Sequence, residues 1–369
     1  MNKYSKQNLK KTIMHFSQIL KYFKKFNTGI VSSMFLIFIF VLFFKIEADT
    51  IFPESIITVN DTFSILSEFK DSPDMIKLKL EQVDRINKER KKHNASPVQL
   101  DILASRVANM HCYYGAVNGY MGHYDKDGNL PFMRYSSFGG NDHVSENAAS
   151  LIEYSVTKGK LQNDLDLSGF EIKDKAECME IFLKGFMKEG PGGGHYENVI
   201  DKAHNYVGIG FFDTSYAKKD SLIHTVRYAE EFLNRYASFN VIDRKINPGD
   251  TVDISGIFKS DTLGISAIII DYFSFPKKMN RKQINKYNSY NDYSKREHLV
   301  VFPWDLEEYL NENGFSINAK FKKKKGLYYV KIFADKKKNI PYKMENGQKK
   351  ISYSLKNAFP ISGVIIRME

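Results

Sequence analysis

The chain has 369 residues, 43% of them hydrophobic and 14% aromatic, which is enough apolar material for two folded domains and excludes an intrinsically disordered protein. Its net charge of +11 comes from lysine runs near the N-terminus and in the last third, and charge spread in this way does not indicate a nucleic-acid-binding face. With only two cysteines, Cys112 and Cys178, and no CxxC pair, the sequence also excludes a metal site built from cysteines.

The N-terminal segment is basic and is followed by an apolar run. The first 46 residues contain no acidic residue and carry eight lysines, and the run IVSSMFLIFIFVLFF extends from Ile30 to Phe44. We predict a basic amphipathic segment at 1–28 that lies on anionic lipid in the cytoplasm, and an uncleaved signal-anchor helix across the membrane at 29–46. The bulk of the chain is then extracytoplasmic, at the cell surface or in the periplasm, and it is secreted if the apolar segment is cleaved.

Beyond the membrane segment we predict a connector at 47–79 and then a domain of mixed helices and strands. Apolar residues at helical spacing predict helices over Val83 to His93, Leu103 to Tyr114, Glu146 to Tyr154 and Ala176 to Phe186. The second of these helices is predicted to turn its polar side to water. Strands are predicted at ENVID, YVGIGFFDT and LIHTVRYA, and a coiled segment is predicted at LPFMRYSSFGGNDH.

The segment from Gly190 to Asp201, GPGGGHYENVID, is unusual because four glycines and a proline precede His195. Glycine brings no side chain for packing and loses much backbone entropy when it is ordered. We therefore interpret the loop as a tight turn that leaves the histidine exposed. Upstream, His123 in GHYDKDGN, Glu146 in SENAAS and Glu189 in GFMKEG add titratable side chains, and the combination predicts a functional site.

In this order, the motifs resemble those of the CAP (SCP) superfamily of cysteine-rich secretory proteins, antigen 5 and pathogenesis-related 1 proteins. INKERKKHNASPVQLD and LASRVANMH are similar to its first two helices, and MGHYDKDGNLPFMRY is similar to the segment with its first histidine. SENAAS resembles its Glu-Asn-Ala motif, and GFMKEGPGGGHYENVID with YVGIGFF resembles its signature loop and strand. The resemblance covers residues 80–236. Phe186 replaces the family's usual tryptophan, and the usual disulfides are missing, so the resemblance points to the bacterial branch.

The resemblance implies an αβα sandwich around a three-stranded antiparallel sheet, with two histidines and two glutamates in a cleft. On this chain the four residues are His123, Glu146, Glu189 and His195, with Tyr196 beside them. Such a set suits Zn²⁺ or another divalent cation, with His123 and His195 as metal ligands. Without a metal, the same groups suit a hydrogen-bonded cluster that holds the helices to the loop, or a general acid–base pair.

Residues 237–369 are predicted to form a separate all-β domain, because short strands alternate with turns as in an immunoglobulin-like sandwich. WDLEEYLNENG is predicted to be a short helix, and Pro276 to His298 a long exposed loop. Lysine runs at 322–325 and 336–338 suggest binding of an anionic envelope polymer.

The overall fold class is therefore α+β, with an N-terminal membrane helix, a CAP domain and a β-sandwich. The leading hypothesis is an extracytoplasmic protein that binds a lipid, envelope or host-surface ligand at the His/Glu cleft and has no nucleic-acid partner. One alternative is a metal-dependent hydrolase or peptidase that uses Glu146 or Glu189 as general base. Another is a structural spacer for an adhesive β domain. A Cys112–Cys178 disulfide and two buried free thiols fit the sequence equally well.

Overall fold

The computed structural model describes residues 53–156, 174–218, 221–287, 296–301, 314–321, 324–337, 344–345, 348–349 and 356–369. The chain divides into two compact units, Met1–Ser55 and Ile56–Glu369. The predicted cytoplasmic segment at 1–28 and the predicted signal-anchor at 29–46 lie outside the described residues. Within the described ranges, none of the helices combines the length and the apolar character needed to cross a membrane.

Capping side chains fix where the two longest helices of the N-terminal half begin. The helices of this half are α1 (Pro53–Thr62), α2 (Pro73–Lys92), α3 (Ile102–Asn118), α4 (Pro131–Ser137), α5 (Lys175–Lys188) and α6 (Gly194–Ile200). Ser72 accepts a hydrogen bond from the backbone N–H of Met75 at the start of α2, and Asp101 accepts one from Ala104 at the start of α3. Each cap satisfies a backbone donor that the helix itself leaves without a partner.

The helices enclose a four-stranded sheet with the order β1, β3, β4, β2. Its strands are β1 (Gln99–Leu100), β2 (His143–Val156), β3 (Tyr206–Lys218) and β4 (Ser221–Asn234). Strand β4 pairs antiparallel with β3 on one side and with β2 on the other, whereas β1 pairs parallel with β3. The three long antiparallel strands agree with the sheet that the family resemblance implies.

One face of the sheet, which we call the α5 face, is covered by α2, α5 and α6. Its apolar core includes Ile86 from α2, Phe182 from α5 and Val199 from α6. The ring of Phe182 stacks on that of Tyr228 from β4, with 5.1 Å between centroids. Helices therefore bury the apolar side chains of this face, as in one half of an αβα sandwich.

The opposite face, which we call the α3 face, is covered by α3 and α4. A Cβ atom added to Gly208 of β3 would lie 2.4 Å from the Cβ atom of Ala104 on α3, so the helix approaches the strand too closely for a side chain. Helix α3 also bonds to the outer edge of β3, because Ser105 Oγ accepts from Ile209 N and Asn109 Oδ1 accepts from Phe211 N, both at 3.1 Å. The αβα sandwich is thus complete.

Several predictions of helices and strands for this half are confirmed, and three are wrong. The helices at Val83 to His93, Leu103 to Tyr114 and Ala176 to Phe186 are confirmed as α2, α3 and α5, and YVGIGFFDT and LIHTVRYA form β3 and β4. The predicted helix from Glu146 to Tyr154 is instead strand β2, ENVID lies in and just after helix α6, and LPFMRYSSFGGNDH contains helix α4.

Tertiary pairing and burial explain these differences. The alanines of β2 favour a helix locally, but the strand pairs with β4 along its whole length, and this pairing outweighs local propensity. The polar side of α3 does not face water either: Ser105, Arg106 and Asn109 are buried. Arg106 instead donates to the backbone carbonyls of Asn60, Phe63 and Ile65, which ties α3 to the end of α1 and to the segment after it.

The C-terminal part is built from β-strands, as predicted. They are β5 (Ala237–Phe239), β6 (Lys245–Ile246), β7 (Thr251–Phe258), β8 (Leu263–Phe273), β9 (Arg296–Val301), β10 (Gly314–Lys320), β11 (Gly326–Lys336), β12 (Met344–Glu345), β13 (Gln348–Lys349), β14 (Phe359–Pro360) and β15 (Val364–Met368), with a short helix α7 (Arg281–Ile284) after β8. A sheet ordered β10, β7, β5 packs against a larger sheet around β11, and Ile254 and Ile332 meet in their common core. The immunoglobulin-like topology stays a prediction, and most of the predicted helix WDLEEYLNENG lies outside the described residues.

The N-terminal half and the β region are in direct contact within the second unit. The rings of Phe132 and Tyr329 stack with centroids 4.2 Å apart. Ser136 Oγ accepts hydrogen bonds from Arg244 and from the backbone N–H of Ile365. Polar and aromatic contacts thus join α4 to the β-strands over a shared interface.

Both cysteines are buried thiols, and no disulfide joins them. Cys178 belongs to the apolar core of the α5 face, whereas Cys112 on α3 packs beside Ala108 and Ala229 on the other face. Of the two possibilities that the sequence left open, the structure therefore has the pair of buried free thiols.

Candidate functional site

The five predicted site residues come from four parts of the fold. His123 lies in the loop between α3 and α4, and Glu146 lies on β2. Glu189 is the C-cap residue of α5, and His195 and Tyr196 lie in the first turn of α6. The contacts between them divide into two His–Glu pairs.

The first pair is buried on the α3 face. His123 Nδ1 lies 2.9 Å from Glu146 Oε1, and Arg134 from α4 donates to Glu146 Oε2. The second guanidinium nitrogen of Arg134 donates to the backbone carbonyl of His123 at 2.6 Å. Glu231 lies directly opposite Glu146 on β4, and Arg134 approaches its carboxylate at 3.5 Å. One arginine therefore holds a histidine and two carboxylates.

Burial sets the charge of this pair. Burial raises the pKa of Glu146, and the charge of Arg134 partly counteracts this rise. Burial and the charge of Glu146 together raise the pKa of Glu231 well above its ordinary value. Burial and the charge of Arg134 lower the pKa of His123 to about 4. At neutral pH the histidine is therefore uncharged and donates its Nδ1–H to Glu146, while the shifts favour the protonated form of Glu231 more than that of Glu146.

The second pair is accessible to solvent. His195 Nδ1 lies 2.5 Å from Glu189 Oε1, and the backbone N–H of His195 donates to Glu189 Oε2 at 3.1 Å. Burial raises the pKa of Glu189, but hydrogen bonds from His195 outweigh it and the net effect lowers that pKa. The ring of Phe186, which replaces the family's usual tryptophan, lies 4.7 Å from the His195 ring.

The glycine loop brings this second pair together. Gly190 and Gly192 have φ values of +69° and +89°, a backbone region that favours glycine. A Cβ atom added to Gly193 would lie 2.4 Å from the Cβ atom of Glu189, so only glycine lets the loop pass this close to the carboxylate. The sequence-based interpretation of the loop as a tight turn that exposes His195 agrees with this geometry.

The sheet separates the two pairs. Glu146 and Asn147 are neighbours on β2, so their side chains point to opposite faces. Glu146 faces Arg134, whereas Asn147 Nδ2 donates to the backbone carbonyl of His195 and to Glu230 Oε2, both at 3.2 Å. The four predicted residues thus form one pair on each face of the sheet.

Glu230 forms the polar centre of the α5 face. Its Oε1 accepts a hydrogen bond of 2.7 Å from the Tyr228 hydroxyl, and the Tyr228 oxygen in turn accepts one from Gln82. Burial raises the pKa of Glu230 to about 7, although the bonds from Tyr228 and Asn147 lower it in part. The carboxyl group therefore changes its protonation near neutral pH.

Tyr196 does not face the His–Glu pair. Its side chain is buried, its hydroxyl lies 3.3 Å from His93 Nδ1, and its ring meets the His93 ring edge-on. The residue thus joins α6 to the end of α2.

The arrangement can be compared with the needs of a divalent cation. Among the described residues, no group of three or more His, Cys, Asp or Glu side chains is placed to hold a metal ion. His123 and His195, the predicted metal ligands, each direct Nδ1 toward a different carboxylate. The described geometry thus offers two hydrogen-bonded pairs and does not fit a single site with both histidines as ligands.

Sequence reasoning missed Arg134, Asn147, Glu230 and Glu231. A signal for the last two exists, because they are adjacent acidic residues within the apolar strand sequence YAEEFL. Since neighbouring strand residues point to opposite faces, at least one of these carboxyl groups had to be buried in a core and therefore hydrogen-bonded. No comparable signal marks Arg134, whose role depends on how α4 packs.

The comparison with protein families agrees with the motifs. Residues 83–228 match the model of the cysteine-rich secretory protein family, CAP. An extracellular protein containing an SCP domain, from Bacillus anthracis str. Ames, is 16% identical with a TM-score of 0.28, over 42% of this chain and 40% of that chain. An outer surface protein from Borrelia burgdorferi is 16% identical with a TM-score of 0.26, over 42% of this chain and 92% of that chain. Curated proteins give no match.

The match at 83–228 covers the segment whose motifs carry the resemblance, from the middle of α2 to β4. Within that segment lie both His–Glu pairs, the glycine loop, strands β2 and β3 and the first part of β4. Residues 83–228 of the chain therefore form a CAP domain.

Proposed function

We propose that this chain is a membrane-anchored, extracytoplasmic CAP protein of the bacterial branch, and that it binds a polar group of an envelope or host-surface molecule at Glu189 and His195. The proposal is one of binding rather than turnover. The basic flank and the apolar run before Lys45 support the anchor and the orientation, because positive charge stays on the cytoplasmic side of a signal-anchor.

One contrast carries the choice of site. The side chains of His195 and Glu189 are 32% and 36% exposed, whereas that of Glu146 is 0% exposed and that of His123 is 13% exposed. A ligand can therefore reach the second pair directly, while the first pair is enclosed by α4 and the sheet. An exposed pair of this kind contributes little to stability, so contact with a partner is the role that its position supports.

The chemistry of the pair limits the ligand. A carboxylate accepts hydrogen bonds, and an imidazole bonded through Nδ1 offers Nε2 as a second polar atom. Hydroxyl and amino groups complement such a surface. Lipid headgroups, envelope polymers and host-surface glycans all carry them, and the binding assay below separates these sources.

A metal-dependent hydrolase is less well supported. The described residues bring no three metal ligands together, so the proposal assigns no step to a cation. Glu230, whose pKa of about 7 would suit a general base, is 0% exposed and bonded to Tyr228 and Asn147. A substrate could not reach it without opening the core, and we therefore assign it a structural role.

The test uses the full-length chain in detergent micelles. Binding is measured to liposomes of phosphatidylcholine with and without phosphatidylglycerol, to purified cell-wall sacculi and to an array of host glycans. We expect one of these to bind the wild-type chain, and Glu189→Gln and His195→Gln each to weaken that binding at least about tenfold, or 1.4 kcal/mol.

Glu180→Gln is the matched control, because Glu180 lies on the same helix and pairs only with exposed Lys184 in the described structure. It should bind like the wild type. Equal binding by all three variants, with unchanged melting temperatures, would refute the proposed site. Failure of every probe to bind the wild type would refute the proposed ligand classes.

A further inference from the structure

A series of hydrogen-bonded polar side chains, which we call the amide relay, runs from the candidate site to the β region. At the site, Asn147 Nδ2 donates to the backbone carbonyl of His195 at 3.2 Å, and Asn147 Oδ1 accepts from Asn198 Nδ2 at 2.9 Å. Asn198 Oδ1 lies in turn 2.9 Å from Nε2 of His204. The relay therefore links the first turn of α6 to the turn that precedes β3.

The amide relay continues on the other side of the His204 ring. His204 Nδ1 lies 2.6 Å from Asn234 Oδ1 at the end of β4, and Asn234 Nδ2 donates to the backbone carbonyl of Pro360 in β14 at 2.7 Å. His204 and Asn234 are buried, and the ring of His204 stacks on that of Phe232 with 5.2 Å between centroids. The two side chains thus depend on the relay for their hydrogen bonds.

The hydrogens of the relay can be counted, because both of its ends are backbone carbonyls, which only accept. The relay has five contacts, and each needs one hydrogen between its two heavy atoms. An asparagine carboxamide has its NH₂ group on one side and its oxygen on the other. It therefore supplies a hydrogen to one of its two contacts in the relay, whichever way it is turned. The three asparagines supply three hydrogens, and the other two must come from His204.

His204 meets this demand only when it is protonated. A neutral imidazole carries one N–H, whereas an imidazolium carries two. With neutral His204, one of the five contacts brings two lone pairs together without a hydrogen between them. A proton on His204 supplies the missing hydrogen and completes the relay.

Burial and nearby charges determine when His204 takes up that proton. Burial is the main cause that lowers the pKa of His204, and the charge of Arg90, which donates to the His204 backbone carbonyl at 2.8 Å, lowers it further. Asp201 Oδ2, 3.9 Å from Nε2, and the bond to Asn234 raise it, but the pKa stays below its ordinary value. Burial lowers the pKa of the neighbouring His143 to about 3, so His143 is uncharged. His204 is therefore neutral at pH 7 and gains its second N–H in acid.

The weakest contact of the relay is the one at the candidate site. The distance from Asn147 Nδ2 to the His195 carbonyl is 3.2 Å, whereas the other four contacts measure 2.6 to 2.9 Å. When His204 is neutral, Asn147 and Asn198 can turn round together, so that Asn198 donates to Nε2 and the carbonyl loses its donor. Glu230 Oε2 lies 3.2 Å from the same amide nitrogen, and protonated Glu230 can donate to the turned oxygen.

We propose that His204 is a proton-operated switch, which fastens the backbone of His195 to the sheet in acid and releases it when the proton is lost. The switch biases a segment with two discrete arrangements, namely the pair of carboxamides between His204 and the carbonyl. The Glu189–His195 pair stands on this backbone, so its affinity for a ligand should change with the protonation of His204. That last consequence rests on the proposed function, whereas the switch itself does not.

The test uses the full-length chain in detergent micelles with the substitution His195→Gln, which removes a titrating ring but keeps the backbone carbonyl. NMR follows the ring nitrogens of His204 and the carbonyl carbon of residue 195 from about pH 4 to 7. We expect His204 to take up its proton in this range. The carbonyl signal should move with the same midpoint, because its hydrogen bond forms as His204 becomes charged.

Two further substitutions interrupt the relay at Asn198. Asn198→Leu removes the connection, so the carbonyl signal should no longer follow His204. Asn198→Asp keeps the shape but accepts from both neighbours, which holds Asn147 turned away from the carbonyl. The signal should again not follow His204, while the pKa of His204 should rise by at least about one pH unit. His93→Gln is the control, because His93 approaches the Tyr196 hydroxyl at 3.3 Å and could titrate nearby. The signal should follow His204 there as before.

Three results would each overturn the switch. His204 could fail to titrate over this range, the carbonyl signal could follow His204 equally with and without the Asn198 substitutions, or His93→Gln could abolish its movement. The NMR measurement needs no ligand. A negative result therefore leaves the proposed function standing, and failure of every binding probe leaves the switch standing.

Discussion

Glu146 and Glu231 face each other across two antiparallel strands, both buried, and they share a hydrogen bond and a single arginine. Two carboxyl groups this close cannot both be ionised without a large penalty. Because the pKa of Glu231 is raised well above its ordinary value, while Arg134 partly counteracts the rise for Glu146, we assign the shared proton to Glu231. Arg134 then compensates the one remaining negative charge, on Glu146.

This charge assignment predicts unequal effects of two substitutions. Arg134→Met leaves the charge of Glu146 buried without its partner and should lower the free energy of unfolding by about 3–5 kcal/mol. Glu231→Gln replaces a neutral group by another of the same shape and should cost about 1 kcal/mol or less. Urea unfolding at pH 7 measures both. A larger loss for Glu231→Gln than for Arg134→Met would show that Glu231 is ionised.

Glu230 predicts a pH dependence of stability. Its pKa rises from 4.5 to about 7 on folding, so the folded state holds the proton more tightly. The contribution of protonated Glu230 to the free energy of unfolding is fully present below about pH 4.5 and is lost as the pH rises through 7. The pKa change corresponds to about 3 kcal/mol. We expect Glu230→Gln, a mimic of the protonated form, to lose less stability than the wild type between pH 4.5 and 8 in urea unfolding. Parallel curves would contradict this.

Two neighbouring glycines predict opposite outcomes for the same added methyl group. In Gly193→Ala the new Cβ atom collides with Glu189, so the Glu189–His195 pair must separate, at a cost of about 1–3 kcal/mol. In Gly194→Ala the methyl group meets nothing within 4 Å, and alanine suits the first residue of α6. Thermal unfolding and the binding assay distinguish them. Similar losses in both variants would mean that the loop tolerates no side chain at all.

The contacts of Arg90 stabilise the chain in a way that a lysine cannot replace. Its buried guanidinium donates to the carbonyls of Ser96, Val199, Asp201 and His204, at 2.7 to 3.0 Å, and so ties α2 to the end of α6. A lysine has the charge but not the planar fork, and Arg90→Lys should destabilise the chain by about 2 kcal/mol or more. Arg85→Lys, on the same helix, is the control and should stay within about 0.5 kcal/mol. Equal losses of stability in Arg90→Lys and Arg85→Lys would contradict this role of Arg90.

The separation of the two histidines predicts additivity. His123→Ala and His195→Ala disturb networks on opposite faces of the sheet, so their effects on stability should add within about 0.5 kcal/mol in the double variant. A zinc titration of all three variants is measured in parallel. A shared cation site, as the sequence-based hypothesis had it, would instead give strong non-additivity together with zinc binding that either single substitution abolishes.

The sequence allowed the CAP domain to be predicted because its evidence is local. Helices α2, α3 and α5 can be predicted from the spacing of their apolar residues. The glycine loop can be predicted because its glycines have no side chains for packing. Strand β2 could not be predicted in this way. Its alanine-rich segment becomes a strand only because β4 supplies the partner, and β4 lies about 80 residues further along the chain.

The sequence predicted which residues belong to the candidate site, but it did not predict that they form two separate pairs. His123 and Glu146 do contact each other, and so do Glu189 and His195. Which face of the sheet each pair occupies depends on the register of β2, since a shift by one residue would exchange Glu146 with Asn147. That register is fixed by pairing with β4, and it has no signature in the local sequence.

Helix α3 also changes what the outer edge of β3 can do. An uncovered strand edge offers N–H and C=O groups to any extended peptide, and it is a common route to unwanted association. The outward N–H groups of Ile209 and Phe211 instead donate to side chains of α3, Ser105 and Asn109. The helix thus provides the hydrogen-bond acceptors that a neighbouring strand would otherwise supply. A second chain cannot extend the sheet at these positions, and polymerisation by strand addition is closed off along this stretch without a further strand.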